Sequence, residues 1–133
     1  MKIVLADTSY YVALFNRRDE FHALASRLSN ELTGLVLVSE FVLLELGNAL
    51  FRPSVRQRFG ELIEQMRADP EIIVVPSSDI LFEKALTFFE TRPDKEWSLI
   101  DCSSFTLMHE YGITEALTAD HHFEQAGFTI LLK

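Results

Sequence analysis

Four acidic residues stand where side chains from distant parts of one fold could meet: Asp7, Glu45, Asp101 and Asp120. Asp7 ends the apolar run Ile3 to Ala6 and precedes Thr8, Ser9 and the helix-like Tyr10 to Phe15, and Asp120 follows Leu117, Thr118 and Ala119 in the same manner. Asp101 comes three residues after Ser98, at the head of an apolar helical stretch, and Glu45 sits among Phe41, Val42, Leu43, Leu44, Leu46, Ala49 and Leu50. Four like charges meeting in one cleft repel strongly. The simplest compensation is a divalent cation with a preference for oxygen ligands, Mg²⁺ or Mn²⁺, so metal binding is the chemistry expected of the group.

Taken singly, each residue also has a structural reading. Asp7 and Asp120 fit helix N-caps. Ser98-x-x-Asp101 fits a capping box. Glu45 is harder to place in this way, because its helix is apolar on nearly every side and an unpaired buried carboxylate costs several kcal/mol or takes up a proton. Arg52, seven residues on, is its candidate ion-pair partner. The joint pattern therefore decides more than any one residue, and it depends on the elements that carry the four acids.

Five short runs, Ile3 to Ala6, Leu35 to Val38, Ile72 to Val75, Ala116 to Thr118 and Thr129 to Leu132, are apolar or β-rich without alternation, as buried strands are. Between them, residues 8–30, 39–68, 77–90 and 99–111 carry helical spacing, with Ser77, Ser78 or Asp79, and Ser98 placed to start helices. Apolar strands separated by helices predict a parallel sheet covered on both faces by right-handed crossovers, a three-layer α/β/α domain. Ligands of such sheets bind beyond the carboxyl ends of the strands. Asp7 and Asp120 fall at that edge, and the helices bearing Glu45 and Asp101 are expected to begin near it.

The chain has 133 residues, 48% of them hydrophobic, which fits one domain spanning 1–133 with its own core. No apolar run reaches the roughly 18 to 20 residues that span a bilayer, and the start lacks a signal peptide's long apolar region, so a cytoplasmic protein is expected. Cys102 lies in the apolar pattern Leu99, Ile100, Cys102, Phe105 and reads as a small buried hydrophobe. A net charge of −8 is awkward for a nucleic-acid binder, whose phosphate contacts need Lys and Arg. A protein that concentrates carboxylates to hold cations can still be acidic, with local basic patches. Candidates for these are Arg17, Arg18, Arg52, Arg56, Arg58, Arg92 and Lys95.

The segment Val4 to Leu14 around Asp7, the helix with Glu45, the segment Asp94 to Phe105 around Asp101, and Leu117 to Phe128 around Asp120 together resemble the PIN-domain family, and most closely its VapC-like toxins. The likeness runs over essentially the whole chain and in the family's order. It implies a three-layer fold around a five-stranded, mainly parallel sheet, one or two Mg²⁺ or Mn²⁺ ions, metal-dependent endoribonuclease activity on RNA, a homodimer and an antitoxin partner. On the residues, Asp7, Glu45, Asp101 and Asp120 fall on the acidic quartet, both ligands and catalytic groups. Ser9 and Thr118 fall on small hydroxyl positions expected to orient a carboxylate or a water. Some relatives place a further aspartate after the last of the quartet, where this chain has His121, His122, Phe123 and Glu124. The two histidines read as surface residues and stay outside the expected site.

Two other readings use the same features. A phosphoryl-transfer domain on a similar sheet would want Asp-x-Asp-x-Thr after the first strand, where the chain has Asp7-Thr8-Ser9-Tyr10, or a phosphorylatable Asp ending strand three, where Pro76 and two serines stand. A catalytically inactive interaction module of the same fold has no reason to retain all four acids.

Overall fold

In the computed structural model, which describes residues 2–133, the five apolar runs all form strands. They are β1 (Ile3–Ala6), β2 (Leu35–Ser39), β3 (Ile72–Val75), β4 (Glu115–Leu117) and β5 (Thr129–Ile130). The helices are α1 (Thr8–Phe15), α2 (His22–Glu31), α3 (Glu40–Ala49), α4 (Pro53–Ala68), α5 (Asp79–Thr91), α6 (Leu99–Tyr111) and α7 (His121–Gln125). The sheet runs β3-β2-β1-β4-β5 and every pairing is parallel.

The lack of alternation in the strands follows from burial on both faces. Val4, Ala6, Val38 and Leu117 pack with Tyr10, Tyr11, Val42, Leu46 and Met66 under α1 to α4. Leu5, Leu37 and Ala116 point the other way, into Leu81, Trp97, Phe105 and Phe123 under α5 to α7. The result is the expected three-layer sandwich. Leu37, fully buried on β2 beside the central strand β1, marks its cost of disruption: truncation to Ala there removes about 2–5 kcal/mol.

Two expected helical stretches are each a pair of helices. Residues 8–30 break between Phe15 and His22, where Asn16 Oδ1 accepts from the Arg18 amide and Asp19 Oδ1 from the Phe21 amide, local bonds that compete with the helical ladder. Residues 39–68 break before Pro53, which takes the first helical position of α4 and holds Arg52 in extended backbone. Strand ends shift slightly. β4 starts one residue early, at Glu115, and β5 stops at Ile130, although the Leu131 and Leu132 amides still bond to Ala116 O and Thr118 O.

Helix starts follow the serines. Ser39, Ser78 and Ser98 cap α3, α5 and α6 by accepting from the amides of Val42, Leu81 and Asp101. An aromatic cluster fixes α6 against α7: Phe105 lies 5.1 Å from Trp97 and 4.9 Å from Phe123, and the Trp97 indole donates to Gln125 Oε1 at 3.0 Å. That packing determines where Asp101 and Asp120 stand. Cys102 is buried, and burial pushes its thiol up to about 11, as an inert core residue requires.

Candidate active site

All four predicted carboxylates line one cleft of about 520 Å³ at the carboxyl edge of the sheet. Parallel strands bring this about. Asp7 and Asp120 follow the carboxyl ends of the neighbouring strands β1 and β4, while α3 leaves the end of β2 directly and carries Glu45 in its second turn. Asp101 sits in the first turn of α6.

The capping readings divide. Asp7 occupies the N-cap of α1 without a side-chain capping bond, so its burial, 5% exposed, is not explained by capping. Asp120 does cap α7, accepting from the His122 amide through Oδ1 at 2.9 Å. Asp101 completes the capping box with Ser98, accepting from its amide through Oδ2 at 3.1 Å. In both residues the capping bond uses one carboxylate oxygen. Capping and ion binding are thus compatible on the same side chain.

Glu45 is half-buried, as expected, yet the proposed ion pair with Arg52 does not form. Arg52 is exposed at the N-cap of α4, and Glu45 Oε1 instead accepts from the Thr8 hydroxyl. Among the described residues no Lys or Arg pairs with any of the four acids; their only salt-bridge partners are His121 and His122.

Ser9 and Thr118 form a directional chain. Thr118 Oγ1 donates to Asp7 Oδ2 at 2.9 Å and accepts from the Asp120 amide at 3.1 Å. With its one proton committed, Thr118 must accept from Ser9 Oγ at 3.1 Å, and Ser9 in turn accepts from the Ala119 amide at 3.2 Å. The chain holds one oxygen of Asp7 in a fixed place.

Burial pushes the Asp7 carboxyl from its ordinary 3.8 up to about 7; the Thr118 hydrogen bond opposes this, and the Asp101 and Glu45 charges add to it. Burial raises Asp101 too, with Ser98 opposing and the Asp120 charge contributing. Repulsion within the group is therefore part of the electrostatics of the cleft.

Several lining residues lie outside the expected site, His122, Asp19, Glu96 and Thr8 among them. His122 is a correction to the surface reading: its Nδ1 is 3.4 Å from Asp101 Oδ2 and 3.3 Å from Asp120 Oδ1, whereas His121 remains exposed. Donor atoms of Asp120, His121 and His122 fall within 4.8 Å of one another. Asp19 and Glu96 bring further carboxylates to the cleft, and Thr8 supplies the hydroxyl at Glu45. The two-residue step from Asp120 to His122 across a one-turn cap was the available signal for His122. Asp19 and Glu96 lie between helices, where no periodicity could point to them.

The chain is similar to known proteins over most of its length. VapC20 of Mycobacterium tuberculosis, named a 23S rRNA-specific endonuclease, is 30% identical over 126 residues, 95% of each chain. Its crystal structure, described as that of a Sarcin-Ricin loop cleaving toxin, superposes with a TM-score of 0.83 at 29% identity, over 95% of this chain and 96% of that one. FitAcB of Neisseria gonorrhoeae shares the fold at a TM-score of 0.65, with 15% identity and 96% of both chains covered. VapBC2 of Rickettsia felis does so at 0.66, with 11% identity and the same coverage. The family model for the PIN domain matches residues 4–129, nearly the whole of the sequence: the chain belongs to the PIN-domain family.

Proposed function

We propose that this chain is a Mg²⁺- or Mn²⁺-dependent endoribonuclease, a single nuclease domain over residues 1–133 acting as the toxin of a toxin–antitoxin pair. One observation carries the reading. Asp7, Glu45, Asp101 and Asp120, in a family relative of an rRNA endonuclease, line a single cleft with no Lys or Arg among the described residues to neutralise them.

The donors suit a hard divalent cation: they are carboxylate oxygens, and the Asp7 carboxyl is buried, raised toward neutrality and repelled by its neighbours. Asp7, Glu45, Asp101 and Asp120 would hold one or two ions. Such an ion supplies charge neutralisation at the phosphate and acidifies the attacking water. Thr118, backed by Ser9, holds Asp7 Oδ2, and Thr8 holds Glu45 Oε1, so both carboxylates meet their ligand preoriented. Ser98 and the His122 amide do the same for Asp101 and Asp120.

The substrate class is RNA, with structured ribosomal RNA the first candidate because VapC20 is named for 23S rRNA. An antitoxin partner follows from the same likeness, as solved neighbours are toxin–antitoxin complexes. A symmetric homodimer and a cytoplasmic location belong to the reading too. No helix among the described residues is long and apolar enough to cross a membrane. The test is cleavage of a structured rRNA fragment with Mg²⁺ or Mn²⁺. Activity is expected to vanish in EDTA and in Asp7→Asn, Glu45→Gln, Asp101→Asn and Asp120→Asn; cleavage that persists in EDTA overturns the metal assignment.

A further inference from the structure

The cations of this acidic chain are not spread evenly. Every Lys among the described residues lies within 4.0 Å of a carboxylate, and so do Arg27, Arg67 and Arg92. Among the described residues the remaining five, Arg17, Arg18, Arg52, Arg56 and Arg58, have no carboxylate partner, and all five are exposed. They fall in two segments only, the loop after α1 and the start of α4. These segments meet in space, because the Arg58 guanidinium lies 5.0 Å over the ring of Phe15, the last residue of α1.

This shoulder adjoins the cleft. Arg17 and Arg18 directly precede Asp19, which lines it, and Val12, one turn before Phe15, lines it as well. Between Arg52 and the end of α3, Phe51 is 59% exposed, and its carbonyl accepts from Arg56 Nε at 2.6 Å. Arginine forks match phosphate oxygens in pairs, and an exposed aromatic face stacks an unpaired base. With a net charge of −8, the rest of the surface repels a polyanion.

We propose that Arg17, Arg18, Arg52, Arg56 and Arg58, with Phe51, form the track on which the RNA strand binds as its scissile phosphate enters the carboxylate cleft. Arg92 and Lys95, both engaged by Asp94, are outside it. The proposal rests on the ribonuclease reading for its substrate and deepens it by naming where the strand is held.

The test measures binding and cleavage separately. Affinity for a fluorescent RNA hairpin is read with Ca²⁺ in place of Mg²⁺ across a salt series, and cleavage of the same hairpin is read with Mn²⁺. The triple variant Arg17→Gln, Arg18→Gln, Arg52→Gln is compared with wild type and with Arg27→Gln. For a single strand, losing three phosphate contacts flattens the plot of log affinity against log salt by about 2. The KM is expected to rise at least ~10-fold with kcat within about twofold, as loss of uniform binding requires. Phe51→Ala should weaken binding without changing the slope. Arg27→Gln should change neither.

An unchanged slope and KM in a triple variant that still cleaves overturns the track and leaves the nuclease reading standing. RNA binding with the predicted slope change, but no cleavage by wild type, supports the track and overturns the nuclease reading. Loss of affinity for polyglutamate with RNA affinity intact overturns the proposal in favour of an acidic protein partner.

Discussion

Thr118 donates its hydroxyl proton to Asp7 Oδ2 at 2.9 Å, joining the carboxyl ends of β4 and β1 across 111 residues of sequence. Thr118→Val keeps the side-chain shape and removes the donor. The ionised form of Asp7 then loses its one hydrogen bond from a side chain, so its titration moves above 7 and the acid limb of the pH–rate profile moves with it. A buried donor to a charged group is worth about 1–3 kcal/mol, so the melting temperature should fall as well. Thr118→Ser restores both. A Val variant with an unshifted pH profile would show that Thr118 only fills space.

Asp120 combines a structural and a proposed chemical task, and two substitutions separate them. Asn can still accept from the His122 amide, whereas Ala cannot. Asp120→Asn should keep metal-free stability close to wild type, while Asp120→Ala should lose about 0.5–2 kcal/mol. Both should lose metal-dependent cleavage to a similar degree. Activity that tracks stability across the pair would reduce Asp120 to a cap.

The strands were legible because their burial on two faces makes them apolar throughout, and because Asp7 and Pro76 end β1 and β3 so abruptly. The breaks at Asn16 to Phe21 and at Leu50 to Arg52 were not, since helical spacing resumes beyond the polar run Asn16 to Glu20 and apolar residues continue through Leu50 and Phe51, while the Asx bonds and the Pro53 register that make the breaks lie in the folded backbone. Of the site, Asp7, Glu45, Asp101 and Asp120 could be proposed from position, and Ser9 and Thr118 through family likeness. Thr8, His122, Asp19 and Glu96 required the packing of α1 on α3 and of α6 on α7 before they became neighbours. Arg52 was misplaced as a partner for Glu45 because seven residues along one helix would have aligned them, and the chain leaves the helix first.

The raised carboxyls set a pH dependence with a definite sign. Between the ordinary 3.8 and about 7, the folded chain keeps the Asp7 proton that the unfolded chain has released. Stability from this group therefore falls as pH climbs through that window, and Asp101 is shifted in the same direction. In EDTA, melting temperature should drop from pH 5 to pH 8. With Mn²⁺, which must displace that proton, the stabilisation should instead grow as pH rises toward 7 and beyond. A metal-free melting temperature that rises over the same range would contradict the burial assigned to Asp7.

Asp7→Asn joins these effects in one variant. Asn retains the volume and still accepts from Thr118, but it removes a charge that burial and the neighbouring Asp101 and Glu45 all disfavour. In EDTA at pH 8, where wild-type Asp7 is ionised, the variant should melt higher, by roughly 2–8 °C if about 1 kcal/mol of repulsion is relieved. Its melting temperature should also vary less between pH 5 and pH 8. Mn²⁺ at a hundredfold above its Kd should add about 2.7 kcal/mol to wild type and clearly less to Asp7→Asn, since the ion binds a native site that has lost a ligand. Cleavage should be lost as fully as in Asp101→Asn, and the double variant should be little worse than either, because ligands of one site fail together. A variant less stable than wild type in EDTA, with an equal response to Mn²⁺, would mean that Asp7 supports the fold and holds no ion.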